Sequence, residues 1–179
     1  MPKITKKILE SGLKQWTMLD VKVSSRTSEE VLEIINSCLD NKEKFYIVTT
    51  NPEIISRAKD DWLLKKSIHR SRLSIPIEKG VSSAFNYLFK LDINIHNNND
   101  LFWNIIKILD KRGLRVCLVG DDDSFLESRA LGVNKNFKNL VFRSYKAPKY
   151  NKRVQPETQV YRKLHKSVLV KVKIFEPDY

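Results

Sequence analysis

The segment Phe45–Ile55, with the sequence FYIVTTNPEII, constrains the fold more than any other part of this 179-residue chain. Its first half is apolar and partly β-branched, which is typical of a strand buried in a sheet. Asn51, Pro52 and Glu53 follow at once. Asn caps helices, Pro fits the first helical position and Glu favours the positive helix end. The segment therefore predicts a buried strand that turns directly into a helix.

Strand and helix signals alternate along the rest of the chain. Thr27 and Glu30 form a capping-box pair ahead of apolar residues at helical spacing. Further apolar runs predict strands at Leu19–Val23, Leu73–Ile75, Arg115–Val119 and Leu140–Ser144. The alternation predicts an α/β fold, a Rossmann-like sandwich with a mostly parallel sheet and helices on both faces.

Ligands of such sheets bind at the carboxyl ends of the strands, so candidate site residues are sought in the loops that follow them. Thr49 and Asn51 lie where the strand of the first segment ends, and helix amides there suit a phosphate or a sugar hydroxyl. Gly120 and Asp121 follow another predicted strand. The alternative for Asn51 is a helix cap alone, and for Gly120 an ordinary tight turn.

The chain is strongly basic. It has 33 Lys and Arg against 21 Asp and Glu, a net charge of +12. Ten Lys or Arg and a single acid, Glu157, lie between Arg143 and Lys173. This excess predicts an anionic partner, and residues 143–173 suit an anionic membrane surface. No RRM, KH or helix-turn-helix signature supports nucleic acid, which is the less favoured partner.

Other chemistry-bearing residues predict no metal or cofactor. Cys38 and Cys117 lie in apolar segments, which indicates buried reduced thiols. The acidic run Asp121–Asp123 is more typical of a solvated helix start than of a metal site. Three histidines are isolated in the sequence, and we expect them at the surface: His69, His96 and His165.

Residues 1–18 form a basic lead-in without the apolar stretch of a signal peptide. No run in the chain approaches the roughly 18 apolar residues of a spanning helix. We therefore expect a cytoplasmic protein, with peripheral contact at the inner membrane face left open. Residues 19–179 are predicted to form the α/β domain.

The order of these signals resembles the WecG/TagA/CpsF family of bacterial glycosyltransferases. The similarity is clearest at Ile47–Ile54, IVTTNPEI, against a family pattern of roughly V-x-T-x-N-P-E. It continues through Pro76-x-x-x-Gly80-Val81, Asp100–Phe102 and Val116–Gly120, and covers about residues 19–179.

The resemblance implies transfer of an N-acetylhexosamine-type sugar from a UDP-sugar donor to a lipid diphosphate-linked acceptor. The products of such enzymes are cell-surface polysaccharides or teichoic acids, and the family is viewed as metal-independent. It also implies a substrate-binding set in this chain: Thr49, Asn51, Gly80, Gly120 and Asp121.

Three departures from the family pattern bear on activity. Ile77 stands where the family has its presumed general base, an aspartate, and Glu78 is the nearest stand-in. Ile95 stands where the family has an arginine suited to a diphosphate. The sequence ends at Tyr179, ahead of the family's last strand and its G-x-P-x-Q-E loop, so we expect an incomplete domain.

These observations leave three functions open. The first is a working glycosyltransferase. The second is a non-catalytic, degenerate fragment that keeps the fold. The third is a basic module that binds RNA or an anionic surface.

Overall fold

The computed structural model describes residues 14–147 and 159–178. Most of the basic lead-in, and residues 148–158 of the basic segment at 143–173, lie outside these residues. The chain divides into two compact units, of which the first ends at Asn104 and the second begins at Ile105.

The first unit contains an antiparallel hairpin and a parallel strand pair. β1 pairs antiparallel with β2, while β3 pairs parallel with β4. The elements are β1 (Gln15–Met18), β2 (Val21–Ser24), α1 (Ser28–Asp40), β3 (Ile47–Thr50), α2 (Pro52–Asp60), α3 (Trp62–Arg70), β4 (Leu73–Pro76), α4 (Lys79–Phe89) and α5 (Asn98–Lys111), and α5 runs past Asn104.

The second unit is built on another parallel pair, β5 with β6. Asp110 fixes the start of β6, because its Oδ1 atom accepts hydrogen bonds from the amides of Asn139 at 2.9 Å and Leu140 at 3.1 Å. The amide of Arg115 donates to Asp178 Oδ2 at 2.6 Å. Its elements are β5 (Arg115–Gly120), α6 (Asp123–Asn136), β6 (Val141–Lys146) and α7 (Gln159–Phe175).

The predicted α/β class is confirmed, and the mixture of helices with two parallel strand pairs is consistent with a Rossmann-like fold. Within residues 14–147 and 159–178, each of the three sheets has two strands. None of the helices in this part of the chain is long and apolar enough to cross a membrane.

Local signals explain where the helices of the first unit begin. Both halves of the predicted capping box at Thr27 and Glu30 form at the start of α1. Apolar residues at helical spacing on both sides of Asp61 predict one continuous helix after Asn51, but the structure breaks it at Asp61. There the aspartate side chain accepts a hydrogen bond from the amide of Leu64 at 2.9 Å and so starts α3.

The core of the first unit joins β2 to α2, α3 and α4. Its fully or nearly fully buried side chains include Val21, Val23, Ile55, Ala58, Ile68, Val81 and Phe85. The hairpin begins at Gln15, inside the segment expected to be a lead-in. Leu19 and Asp20 form its tight turn with positive φ, so the residues before them pair with β2 as strand β1. The strand predicted at Leu19–Val23 is therefore β2, from Val21 to Ser24.

The expectation that all three histidines are at the surface is wrong for His96, which is 3% exposed. Its Nδ1 atom lies 3.2 Å from Ser28 Oγ and its Nε2 atom 3.0 Å from the carbonyl oxygen of Arg26. Burial lowers the pKa of this imidazole. His69 is exposed, as expected, and the side chain of His165 lies outside the described part.

Candidate functional site

The carboxyl ends of β3 and β4 form one edge of the first unit. The two strands are parallel, with Thr49 opposite Ile75 and Thr50 opposite Pro76. The amide of Ile77 donates to the carbonyl of Thr50 at 3.0 Å, so the two loops that follow the strands begin side by side. The rule that ligands bind at this edge of parallel strands therefore applies to both loops together.

Asn51 caps α2, as one of its two predicted roles requires. Its Oδ1 atom accepts a hydrogen bond from the amide of Ile54 at 2.8 Å. Its side chain is half-buried, and no described contact uses the Nδ2 group. The cap therefore occupies the acceptor of this side chain and leaves its donor for a ligand.

The two threonines at the end of β3 differ in exposure. Thr49 is half-buried, whereas Thr50 is completely buried. The Thr50 hydroxyl has no hydrogen-bond partner among the described residues, and neither has the buried hydroxyl of Ser74 on the neighbouring strand. Of the two threonines, Thr49 is the one that a ligand could reach.

Gly80 brings the start of α4 against the start of α2. A Cβ atom built on Gly80 would lie 2.9 Å from Cγ of Pro52, closer than such carbons approach one another. Only glycine permits this distance without movement. The sequence N-P-E after β3 and the glycine after β4 are thus parts of one contact.

Glu78 lies between the end of β4 and α4. It is the N-cap residue of that helix, but its side chain makes no capping hydrogen bond, and it is exposed. Ile77, at the family's aspartate position, is half-buried. The carboxylate nearest to this position is therefore solvent-accessible and not committed to capping.

Ile95 belongs to the core of the first unit. Its side chain packs against the buried cluster, and the amide of the next residue, His96, donates to the carbonyl of Pro76 at 2.9 Å. The segment that carries an arginine in the resembled family therefore lies beside the end of β4, but here it presents an apolar side chain inward.

Gly120 and Asp121 lie in the second unit, at the carboxyl end of β5. A Cβ atom on Gly120 would lie 3.2 Å from Leu126 Cδ2, so close packing with α6 accounts for this glycine. Asp122 follows Asp121 and caps α6 by accepting a hydrogen bond from the amide of Phe125 at 2.8 Å, and Asp123 forms an ion pair with Lys146. The predicted helix start is confirmed, and the ligand role of Gly120 and Asp121 stays a prediction.

The described residues contain no group of three His, Cys, Asp or Glu side chains placed to hold a metal ion. Cys38 is buried and Cys117 is half-buried, and both are free thiols in this part of the chain. Burial raises the pKa of each thiol, which keeps it protonated and unreactive.

One feature of the first unit has no counterpart in the sequence analysis. A cleft of about 610 Å³ opens at the amino ends of β3 and β4 and is lined by five cationic side chains. The sequence pattern indicates basic character at residues 143–173, because a run of cationic residues is visible there. These five cations come from four separate segments, and only the R-S-R sequence at 70–72 hints at them.

The first unit thus has the build of an α/β ligand-binding fold, with hydroxyl, amide and carboxylate side chains at the carboxyl edge of parallel strands. The family model described as glycosyl transferase WecG/TagA/CpsF matches residues 16–170, and the chain belongs to that family. Membership implies a glycosyltransferase of cell-surface polysaccharide synthesis. A comparison with curated proteins finds no match.

Proposed function

We propose that this chain transfers an N-acetylhexosamine-type sugar from a UDP-sugar to a lipid diphosphate-linked acceptor. Family membership supports the reaction class. The observation that carries the proposal is the contact between the two loops, with Ile77 bonded to Thr50 and Gly80 packed on Pro52. It gathers the candidate residues of the first unit at one edge of the strands.

The donor's diphosphate has suitable partners at this edge. The amino end of α2 carries a positive partial charge and favours an anion. The Asn51 amide can donate from Nδ2 while Oδ1 keeps the helix capped, and the Thr49 hydroxyl lies two residues before it. We assign these two side chains to the donor, with Gly80 letting the backbone approach it.

Glu78 is proposed as the general base. It would accept the proton of the acceptor hydroxyl as that oxygen bonds to the anomeric carbon, while the bond from this carbon to the diphosphate oxygen breaks and UDP leaves. The free, exposed carboxylate at the start of α4 supports this role. A positioned base contributes roughly 10²–10⁴-fold in rate.

A second candidate function is sugar-nucleotide binding without turnover. Ile77 at the family's aspartate position favours it, because isoleucine cannot accept a proton. Ile95 favours it too, because its apolar side chain packs into the core and supplies no charge for a diphosphate. This candidate shares the donor residues of the first and differs only at the chemical step.

Mass spectrometry of reactions with UDP-N-acetyl sugars and a lipid diphosphate acceptor separates the two. The first candidate requires a glycosylated product and its loss in Glu78→Gln. Glu33→Gln removes an exposed carboxylate on α1 and serves as the matched control, which should retain turnover. Donor binding without product supports the second candidate. If the protein neither binds the donor nor forms product, both candidates are refuted.

The basic segment at 143–173 is proposed to contact the anionic membrane surface where such an acceptor resides. Juxtamembrane lysines contribute about 1 kcal/mol each to binding anionic lipid. Sedimentation with vesicles of neutral and of anionic lipid tests this. Equal binding to the two, or binding to RNA alone, would contradict it.

A further inference from the structure

The basic cleft at the amino ends of β3 and β4 lies at the edge opposite to the candidate donor site. Tyr46 precedes β3 and Arg72 precedes β4, and the amide of Arg72 donates to the carbonyl of Tyr46 at 2.8 Å. Thr49 and Asn51, in contrast, stand at the carboxyl end of β3. A ligand of the cleft would therefore occupy a different place from the sugar nucleotide.

The charges that line the cleft are unbalanced. Five cations face one carboxylate: Lys22, Arg26, Lys44, Arg70 and Arg72 against Glu43. Within the described residues, none of the five has a carboxylate at ion-pairing distance. Like charges gathered on a partly enclosed wall repel one another, and a bound anion relieves this repulsion.

Two of these side chains are partly buried beside the cleft and have no anionic partner among the described residues. Lys22 donates to the carbonyls of His69 and Ser71, which fixes its ammonium group at the end of α3. Burial lowers the pKa of Lys22, and the charge of Arg72 lowers it further. The Nε atom of Arg26 is buried with no hydrogen-bond partner in the described part of the chain, although buried donors are normally paired.

The size and walls of the cleft indicate a small ligand. A volume of about 610 Å³ falls in the roughly 300–1,000 Å³ range of small-molecule sites. Ile34, Phe45 and Leu73 add an apolar wall beside the cations. Arginine forks bind phosphate oxygens through two parallel hydrogen bonds, and two phosphates supply enough charge to offset several cations.

We propose that this cleft binds a small molecule through a diphosphate group, at a site separate from the donor site. Arg26, Arg70 and Arg72 donate to the phosphate oxygens. Lys22 and Lys44 add charge. The apolar wall contacts the body that carries the diphosphate.

Inorganic diphosphate is the probe, and ¹⁵N NMR of the full chain locates its binding. The expected shifts are at the amides of 44–46 and 70–73. Binding should weaken about tenfold in Arg72→Gln, the equivalent of one strong charged hydrogen bond. Arg70 is also exposed, and Arg70→Gln should weaken diphosphate binding by about the same factor. Higher salt should weaken diphosphate binding to the wild type.

Two controls keep this site apart from the proposed function. Arg57→Gln removes an exposed arginine of α2 and should leave diphosphate affinity within about twofold, too little to count as a lost hydrogen bond. Asn51→Asp should also leave the diphosphate affinity of the cleft unchanged. Shifts confined to 49–51 and 78–80, no shifts at all, or unchanged affinity in both Arg70→Gln and Arg72→Gln would overturn the proposal.

Discussion

Asn51 combines two roles that a pair of substitutions can separate. Asn51→Ala removes the Oδ1 atom that accepts from Ile54 at 2.8 Å, and loss of such a cap costs about 1 kcal/mol, within a range of roughly 0.5–2. Asn51→Asp keeps an oxygen in place and adds a negative charge, which stabilises a helix start by about 0.3–1 kcal/mol. The first variant is expected to be less stable than the wild type, and the second as stable or slightly more.

Donor binding should follow a different order. Both variants lose the Nδ2 donor, and Asn51→Asp also brings a negative charge towards the diphosphate. A hydrogen bond to a charged group contributes about 1.5–3 kcal/mol, so UDP-sugar affinity should fall about tenfold or more in both. The aspartate variant thus keeps its stability and loses its ligand.

Urea denaturation measures the first effect and calorimetric titration of a UDP-N-acetyl sugar the second. Asp61→Ala is the matched control, because Asp61 caps α3 in the same way, accepting from Leu64 at 2.9 Å. It should lose similar stability and keep its donor affinity. Wild-type affinity in Asn51→Asp would refute the assigned donor role, and an undiminished urea midpoint in Asn51→Ala would refute the capping argument.

Three further outcomes follow from contacts in the first unit. Burial lowers the pKa of His96 below its ordinary 6.5, so the protein takes up a proton when it unfolds at acidic pH. The free energy of unfolding should therefore fall as pH drops below about 6.5. The urea midpoint should depend less on pH in His96→Gln than in the wild type. Gly80→Ala gains about 1 kcal/mol of helix propensity, but its methyl group meets Pro52 at a cost of about 1–3 kcal/mol, so the variant should be no more stable than the wild type. A more stable variant with unchanged donor affinity would contradict the contact between Gly80 and Pro52. Thr27→Ala should lose about 1 kcal/mol and keep the fall in stability that His96 causes, as judged from the same urea series.

Sequence reasoning located most elements because their signals are local. The capping box at Thr27 and the N-P-E start of α2 both act within a few residues. The break at Asp61 was missed because apolar residues continue at helical spacing on both sides of it. The aspartate could have been recognised as a cap, since it precedes Trp62, the first residue of α3.

The candidate site was predicted in part for the same reason. Thr49 and Asn51 follow from the strand-to-helix turn, whereas Glu78 is a candidate only because it is the acid nearest in sequence to Ile77. That the start of α4 lies against the start of α2, through Gly80 and Pro52, is visible only in the structure. Neighbouring positions in the sequence do not reveal which loops meet.

The sequence by itself therefore determined the feature that constrains this protein most, a strand running into a helix capped by Asn51, and with it the family. The expectation that this strand is buried is wrong for Ile47–Thr49, which are half-buried in β3. Only the tertiary structure decided that the ends of β3 and β4 form one edge, that His96 is buried, and that Arg26, Arg70 and Arg72 line one cleft. Caps and turns depend on contacts a few residues apart. Strand pairing, burial and charge clusters depend on residues distant in the chain, whose proximity is set by packing of the whole unit.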